Sequence, residues 1–176
     1  MNRSPMTRDP MPGSRIISQM LLVLLLGLQT AFGGENIQPD GLDAFWAEIA
    51  RTVTEGDFEA YSASYHADAI LVSGLAKTSQ PVSQALPEWE QGFLDTRAGK
   101  KEVSLEFRFT QRFSDATTAH ETGIFHYSTI SADGERENTY IHFEALLVKQ
   151  GTWKTMMEYQ KSSATAEEWD AARQEY

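Results

Sequence analysis

Three residues in one short stretch could move a proton. Tyr140, His142 and Glu144 alternate along the chain, so in an extended segment all three leave the same face. An imidazole between a phenol and a carboxylate can take a proton from a bound molecule or return it. A carboxylate inside an apolar enclosure has its pKa raised by desolvation, as a general acid or base requires. A second stretch, Met157-Glu158-Tyr159, adds another carboxylate and phenol. The candidate acid–base residues are therefore His142, Glu144, Glu158 and Tyr159. On a solvated or interfacial sheet face the same side chains need no further purpose, and that reading stands beside the catalytic one.

Which of these residues share an enclosure depends on strand register. Gln150-Gly151 reads as a two-residue turn that pairs Val148 with Trp153 and His142 with Tyr159. One face then carries Tyr140, His142, Glu144, Leu146, Trp153, Thr155, Met157 and Tyr159. The other carries Ile141, Phe143, Ala145 and Leu147, with Met156, Glu158 and Gln160 as neighbours. The face bearing His142 is preferred as the interior, although a single β-bulge would exchange the two. Tyr61, Tyr65, Trp89, Phe93 and Phe125 are aromatic and suit either a cavity wall or plain core. Tyr61, Trp89, Phe93 and Phe125, with Tyr140 and Met157, form the expected ligand-contact set. His120 and His126 lie six apart on one strand face without a carboxylate beside them, so no metal site is expected. Glu121 is expected opposite Arg108, as a surface ion pair of little energetic weight. Phosphate-binding, nucleophile-elbow and zinc-protease motifs do not occur, and no cofactor is implied.

The elements that must position these residues follow from periodicity. Leu42, Phe45, Trp46, Ile49 and Val53 make one apolar stripe of a helix that Asp40 can cap and Gly56 ends. Asp57 opens a second short helix bearing Phe58, Tyr61 and Tyr65. Residues 69–72 read as a short buried strand. Pro81 suits the first turn of a third helix, with Val82, Leu86, Trp89 and Phe93 on its inner side and Pro87 expected to kink or split it. Strands follow from Val103, from Ala116, from Thr139 and from Trp153, with Ala132-Asp133-Gly134 as a hairpin signal. Thr165 and Glu168 form the two ends of a capping box for a last helix running to the C-terminus. No repeat or linker divides residues 34–176, which read as one α+β domain.

Composition limits the partners. With 25 acidic and 15 basic residues the net charge is −10, a surface that repels nucleic acid. Cysteine is absent, which removes disulfides, thiolate chemistry and a lipid-bearing N-terminal cysteine. Arg3, Arg8 and Arg15 precede an apolar run over residues 16–28, and Ala31-Phe32-Gly33 supplies small residues for cleavage. That is the pattern of a secretory signal peptide over residues 1–33. The run is shorter than the ~20 residues a spanning helix needs, so a secreted or periplasmic protein without stable membrane insertion is expected.

The passage Glu55-Gly56-Asp57-Phe58-Glu59-Ala60-Tyr61, followed by residues 65–72 and later by Gly151-Thr152-Trp153-Lys154, resembles the nuclear transport factor 2-like superfamily. Within it the chain is similar to exported members of the SnoaL-like group. The resemblance covers residues 40–163. It implies a curved antiparallel sheet wrapped as a cone around the N-terminal helices, with a deep pocket and frequent pairing through the sheet as homodimers. Members include isomerases, dehydratases, cyclases and non-catalytic binding proteins, and the enzymes use a pocket carboxylate, often with His or Tyr. Where related chains carry a His-Asp-His-like cluster on the final strand, this one has Met157-Glu158-Tyr159. Three functions follow as expectations. The first is binding of a small apolar or aromatic molecule in the cone. The second is a cofactor-free lyase or isomerase. The third is a dimeric interaction module with a filled cone.

Overall fold

The stripe of Leu42, Trp46, Ile49 and Val53 becomes the buried side of the first helix, α1 (Leu42–Glu55). Each such side chain contributes about 1.5–3 kcal/mol on burial. Gly41 stands at the N-cap, and Gly56 ends the helix in the left-handed region at φ 70°, a conformation glycine adopts without a Cβ penalty. Asp57 caps α2 (Phe58–Ala63) through the Ala60 N–H, after which the chain turns directly into β1 (Tyr65–Ser73). Tyr65 therefore begins a strand and does not end the helix. A short strand, β2 (Thr78–Pro81), precedes α3 (Val82–Arg97), in which Pro87 lies without dividing the helix. Four long strands follow: β3 (Lys101–Ser114), β4 (Thr118–Ser131), β5 (Arg136–Gln150) and β6 (Thr152–Ser163). The expected capping box is present, Thr165 and Glu168 satisfying each other's backbone N–H groups at the start of α4 (Ala166–Ala171). This computed structural model describes residues 41–172. The expected signal peptide, the Asp40 cap and the last four residues lie outside them. Among the described residues no helix is long and apolar enough to cross a membrane.

The six strands form one sheet in the order β2-β1-β6-β5-β4-β3. Every pairing is antiparallel except β1 with β6, which is parallel, so the sheet is not wholly antiparallel as expected. Helices α1 and α3 pack on its concave face. Leu42, Trp46 and Ile49 join Ala119, Phe143, Ala145, Leu147 and Trp153 in one cluster, and Val82 and Ala85 join Ala69 and Leu71 in another. On the convex face α4 lays Trp169 against His126 and Tyr140, under the guanidinium of Arg108.

Three one-residue register shifts bend the sheet and decide which side chains look inward. Between Phe109↔Gly123 and Gln111↔Thr122 the third strand carries an extra residue, Thr110, so that Arg112 turns to the concave side opposite Glu121. Gly123 sits against the bulged strand so closely that a Cβ would fall 2.1 Å from the Arg108 carbonyl oxygen. On β6 the extra residues are Met156 and Lys161. The β5–β6 turn also pairs Lys149, not Val148, with Trp153.

Glu121 is the most consequential residue on that inner face. It is fully buried, and its carboxylate accepts from the Trp46 indole N–H on one oxygen and from Arg112 Nε on the other. Arg112 reaches on to Asp43 at 2.7 Å and lies over the Phe109 ring. The expected surface pair of Glu121 with Arg108 is thus corrected: Arg108 pairs in register with Ile124 and points to the convex side. This buried carboxylate ties α1 to β3 and β4 in one hydrogen-bonded unit. Removing one partner of a buried ion pair leaves the other charge uncompensated. Glu121→Gln should therefore cost about 3–5 kcal/mol, and the double substitution Glu121→Leu with Arg112→Leu distinctly less. Urea denaturation measures both. A Glu121→Gln midpoint close to the unsubstituted one would remove the anchoring role.

Candidate functional site

Between the helices and the concave sheet lies a cavity of 420 Å³. Its volume is within the range of about 300–1,000 Å³ usual for small-molecule sites. The helical wall is Ile49 and Val53 from α1, Tyr61 from α2, and Trp89 and Phe93 from α3. The sheet wall is Leu105 and Phe107 from β3, Phe125 and Tyr127 from β4, and Phe143 and Ala145 from β5, with Thr155, Glu158 and Gln160 from β6. The rings brace one another: Tyr61 and Phe93 have centroids 4.8 Å apart, Trp46 and Phe107 4.7 Å, and Phe125 and Phe143 5.8 Å. The cone therefore encloses a cavity, as the first two expectations require and the third, a filled cone, does not.

One polar cluster interrupts the apolar wall. The Tyr65 hydroxyl donates to Glu158 Oε2 at 2.5 Å, and the Gln160 amide donates to Glu158 Oε1 at 2.8 Å. The Tyr61 and Tyr65 hydroxyls are 3.0 Å apart. Since the Tyr65 proton is directed at Glu158, Tyr61 is the donor of that pair. Both carboxylate oxygens thus act as acceptors, at the end of a relay Tyr61 to Tyr65 to Glu158. Burial, and then the Glu158 charge, push the Tyr61 and Tyr65 phenols well above their ordinary value, and burial raises Tyr127 as well.

The sequence-derived candidates divide between the two faces of the sheet. Tyr61, Trp89, Phe93, Phe125 and Glu158 line the cavity. His142, Glu144, Tyr159, Tyr140 and Met157 do not, because the face that bears them is the convex one. The preference for the His142 face as interior is reversed, and the bulge at Met156 is the reason: it puts Trp153 and Thr155 on the same side as Glu158. His142 lies opposite Ser162, not Tyr159, and its Nε2 approaches Glu168 of α4 at 3.4 Å. Tyr140 stacks on His126 at 4.4 Å beneath Trp169. Glu144 pairs with Lys161 at 2.5 Å, which holds its carboxyl below the ordinary value, and faces His120 at 3.6 Å. Tyr159 sits beside Glu144 in the ladder, and Met157 beside Leu146. The convex residues of β4 and β5 thus dock α4 and pair with one another. Among the described residues no group of three His, Asp or Glu side chains is placed to hold a metal ion.

Spacing puts Tyr65 among the wall aromatics but does not link it to Glu158, and it does not mark Trp46 or Tyr127 as cavity residues. Tyr65 and Glu158 are 93 positions apart, and only the parallel β1–β6 pairing brings them together. No local pattern announces that pairing.

No protein-family model matches the sequence, and no curated protein does. Solved structures of low identity share the architecture. An NTF-2-like protein of unknown function from Shewanella oneidensis matches with a TM-score of 0.52 at 15% identity, over 68% of this chain and 95% of that one. A ketosteroid isomerase-like protein from Erwinia carotovora atroseptica matches with a TM-score of 0.51 at 15% identity, over 70% and 95%. The β subunit of a benzoate dioxygenase from Burkholderia mallei matches with a TM-score of 0.55 at 15% identity, over 66% and 85%. At such identities the likeness carries the fold and nothing further.

The raised phenols make stability depend on alkaline pH. A group whose pKa is higher folded than unfolded contributes fully below the unfolded value. Above about pH 10 the unfolded chain loses those protons first, so stability falls as pH rises further. The urea midpoint should therefore drop above about pH 10, and Tyr65→Phe should lessen the drop. A midpoint equally pH-dependent in the Tyr65→Phe protein would show that this cluster does not carry the effect.

Proposed function

On a nuclear transport factor 2-like fold, we propose, this chain is an exported small-molecule-binding domain that takes an apolar or aromatic ligand into its cone. The observation that carries this reading is the 420 Å³ cavity with aromatic rings on both walls and a single hydrogen-bonded polar cluster. Such a site gives a flat ligand large apolar contact and a few polar atoms to orient it. The lyase or isomerase reading asks for an acid–base set at the substrate, yet of its candidates His142, Glu144, Glu158 and Tyr159 only Glu158 lines the cavity. Binding is therefore the better supported of the two. Export rests on the pattern of residues 1–33.

The same reading includes a homodimer through the convex sheet. Ile70, Met157 and Leu146 stand in one row across β1, β6 and β5, with Ile70 and Leu146 among the exposed large apolar side chains. A charge in that row, Leu146→Glu, should yield a monomer by sedimentation. A native protein that already sediments as a monomer would end the dimer reading.

Naphthol tests the binding itself. Trp46 and Trp89 line the cavity, so their emission should change saturably on titration. Trp89→Ala should weaken binding about tenfold or more, because truncating a large wall ring removes roughly 1.5–3 kcal/mol of apolar contact. An emission that does not respond, supported by calorimetry without heat, would sink the proposal.

A further inference from the structure

The charge of the cavity wall is one-sided. Its ionisable carboxyls are Glu158, inside, and Glu88, at an exposed position of α3, and no lysine or arginine is among the lining residues. Lys101 approaches that wall at Gly92, with its Nζ 3.5 Å from where a Cβ on Gly92 would stand, yet its side chain is not part of the lining. Glu158 accepts hydrogen bonds from Tyr65 and Gln160, which satisfy its oxygens but supply no positive charge. No ion pair joins it to a cation among the described residues. A carboxylate in a largely apolar enclosure favours a counter-charge, and here the protein does not provide one.

Two further observations agree. The hydroxyl protons of the cluster are already directed inward along the relay: Tyr61 to Tyr65, and Tyr65 to Glu158. Thr96 likewise gives its hydroxyl proton to the Gly92 carbonyl at 2.9 Å. What this side of the cavity offers an incoming molecule is mostly lone pairs: those of Tyr61, the remaining one of Tyr65 and those of Glu158. The donors beside them are fewer, the Tyr127 hydroxyl and the second N–H of Gln160, so the cluster favours a ligand that brings its own. Trp89, Phe93, Phe107 and Phe125 surround it, and the face of an aromatic ring attracts a cation and does not attract an anion. The chain's net charge of −10 also raises the local concentration of cations.

The geometry points to a ligand that is an apolar or aromatic molecule bearing a protonated amine, its ammonium held by Glu158 and the Tyr61 oxygen and its body by the aromatic walls. This inference rests on the binding reading above and narrows it to a ligand class.

Naphthylmethylamine, naphthylmethanol and naphthoate have similar bodies and differ in the charge of the head group. Isothermal titration of the full chain with each, at neutral pH, separates the two levels of the argument. The amine should bind about tenfold or more tightly than the alcohol, and naphthoate least well. In Glu158→Gln, which keeps the size and one acceptor of the side chain, the amine should lose its advantage over the alcohol. If the alcohol binds as tightly as the amine, selection of a cation is overturned while small-molecule binding stands. If none of the three binds, both readings fall. Should the Glu158→Gln chain not fold, as its circular dichroism would reveal, the ranking by the unsubstituted protein decides alone.

Discussion

Three single extra residues, Thr110, Met156 and Lys161, determine what the inside of this protein is made of. In an uninterrupted strand alternation is strict, and Arg112 would share the outward side of Arg108. With Thr110 extruded, Arg112 faces inward and meets Glu121. With Met156 extruded, Trp153 and Thr155 join Glu158 and Gln160 on the concave face, so that one strand supplies core packing near its start and the polar cluster of the cavity near its end. The same bulges increase local twist and curvature, which a sheet needs in order to wrap a cavity and not simply stack on a helix layer. Parity and curvature are therefore set by the same residues, and the chemistry of the interior depends on both.

Two carboxylates end up inside, and their surroundings give them different roles. Glu121 is wholly enclosed and engaged by Trp46 and Arg112, which in turn reaches Asp43. It behaves as part of the frame that fixes α1 against the sheet. Glu158 is held by neutral donors only, borders open space, and keeps acceptor capacity toward that space. The distinction follows from the partners and not from depth alone: an arginine closes one site, while phenols and an amide leave the other electrostatically incomplete.

Much of the frame is written locally. The stripe of Leu42, Trp46, Ile49 and Val53, the Asp57 cap, the Thr165–Glu168 capping box and the Ala132-Asp133-Gly134 turn each act over a few residues, and each reads directly from spacing. The division of the candidate site was not legible in the same way. Period-two alternation shows that Tyr140, His142 and Glu144 share a face but not which face it is. That is fixed by a bulge on a neighbouring strand, with no glycine or proline to mark Met156. Glu121 reads as an ordinary exposed strand residue because its partners, Trp46 and Arg112, come from another helix and from the far side of a bulge. Tyr61, Trp89, Phe93 and Phe125 were legible as a wall, since large aromatics must be covered by something, whether core or cavity.

The parallel pairing of β1 with β6 has a consequence in time. Every other long strand pairs with a neighbour in sequence, across a short turn. Tyr65 must wait for Glu158, 93 positions later, before its hydroxyl has a partner, and until β6 docks the cone lacks one side. Closing so long a loop carries an entropic cost that local hairpins do not, and it falls late in assembly. A chain emerging from a ribosome would build its meander from β3 onward while the aromatic wall stayed open to water. The enclosure that could hold a ligand therefore depends on joining two distant parts of the chain.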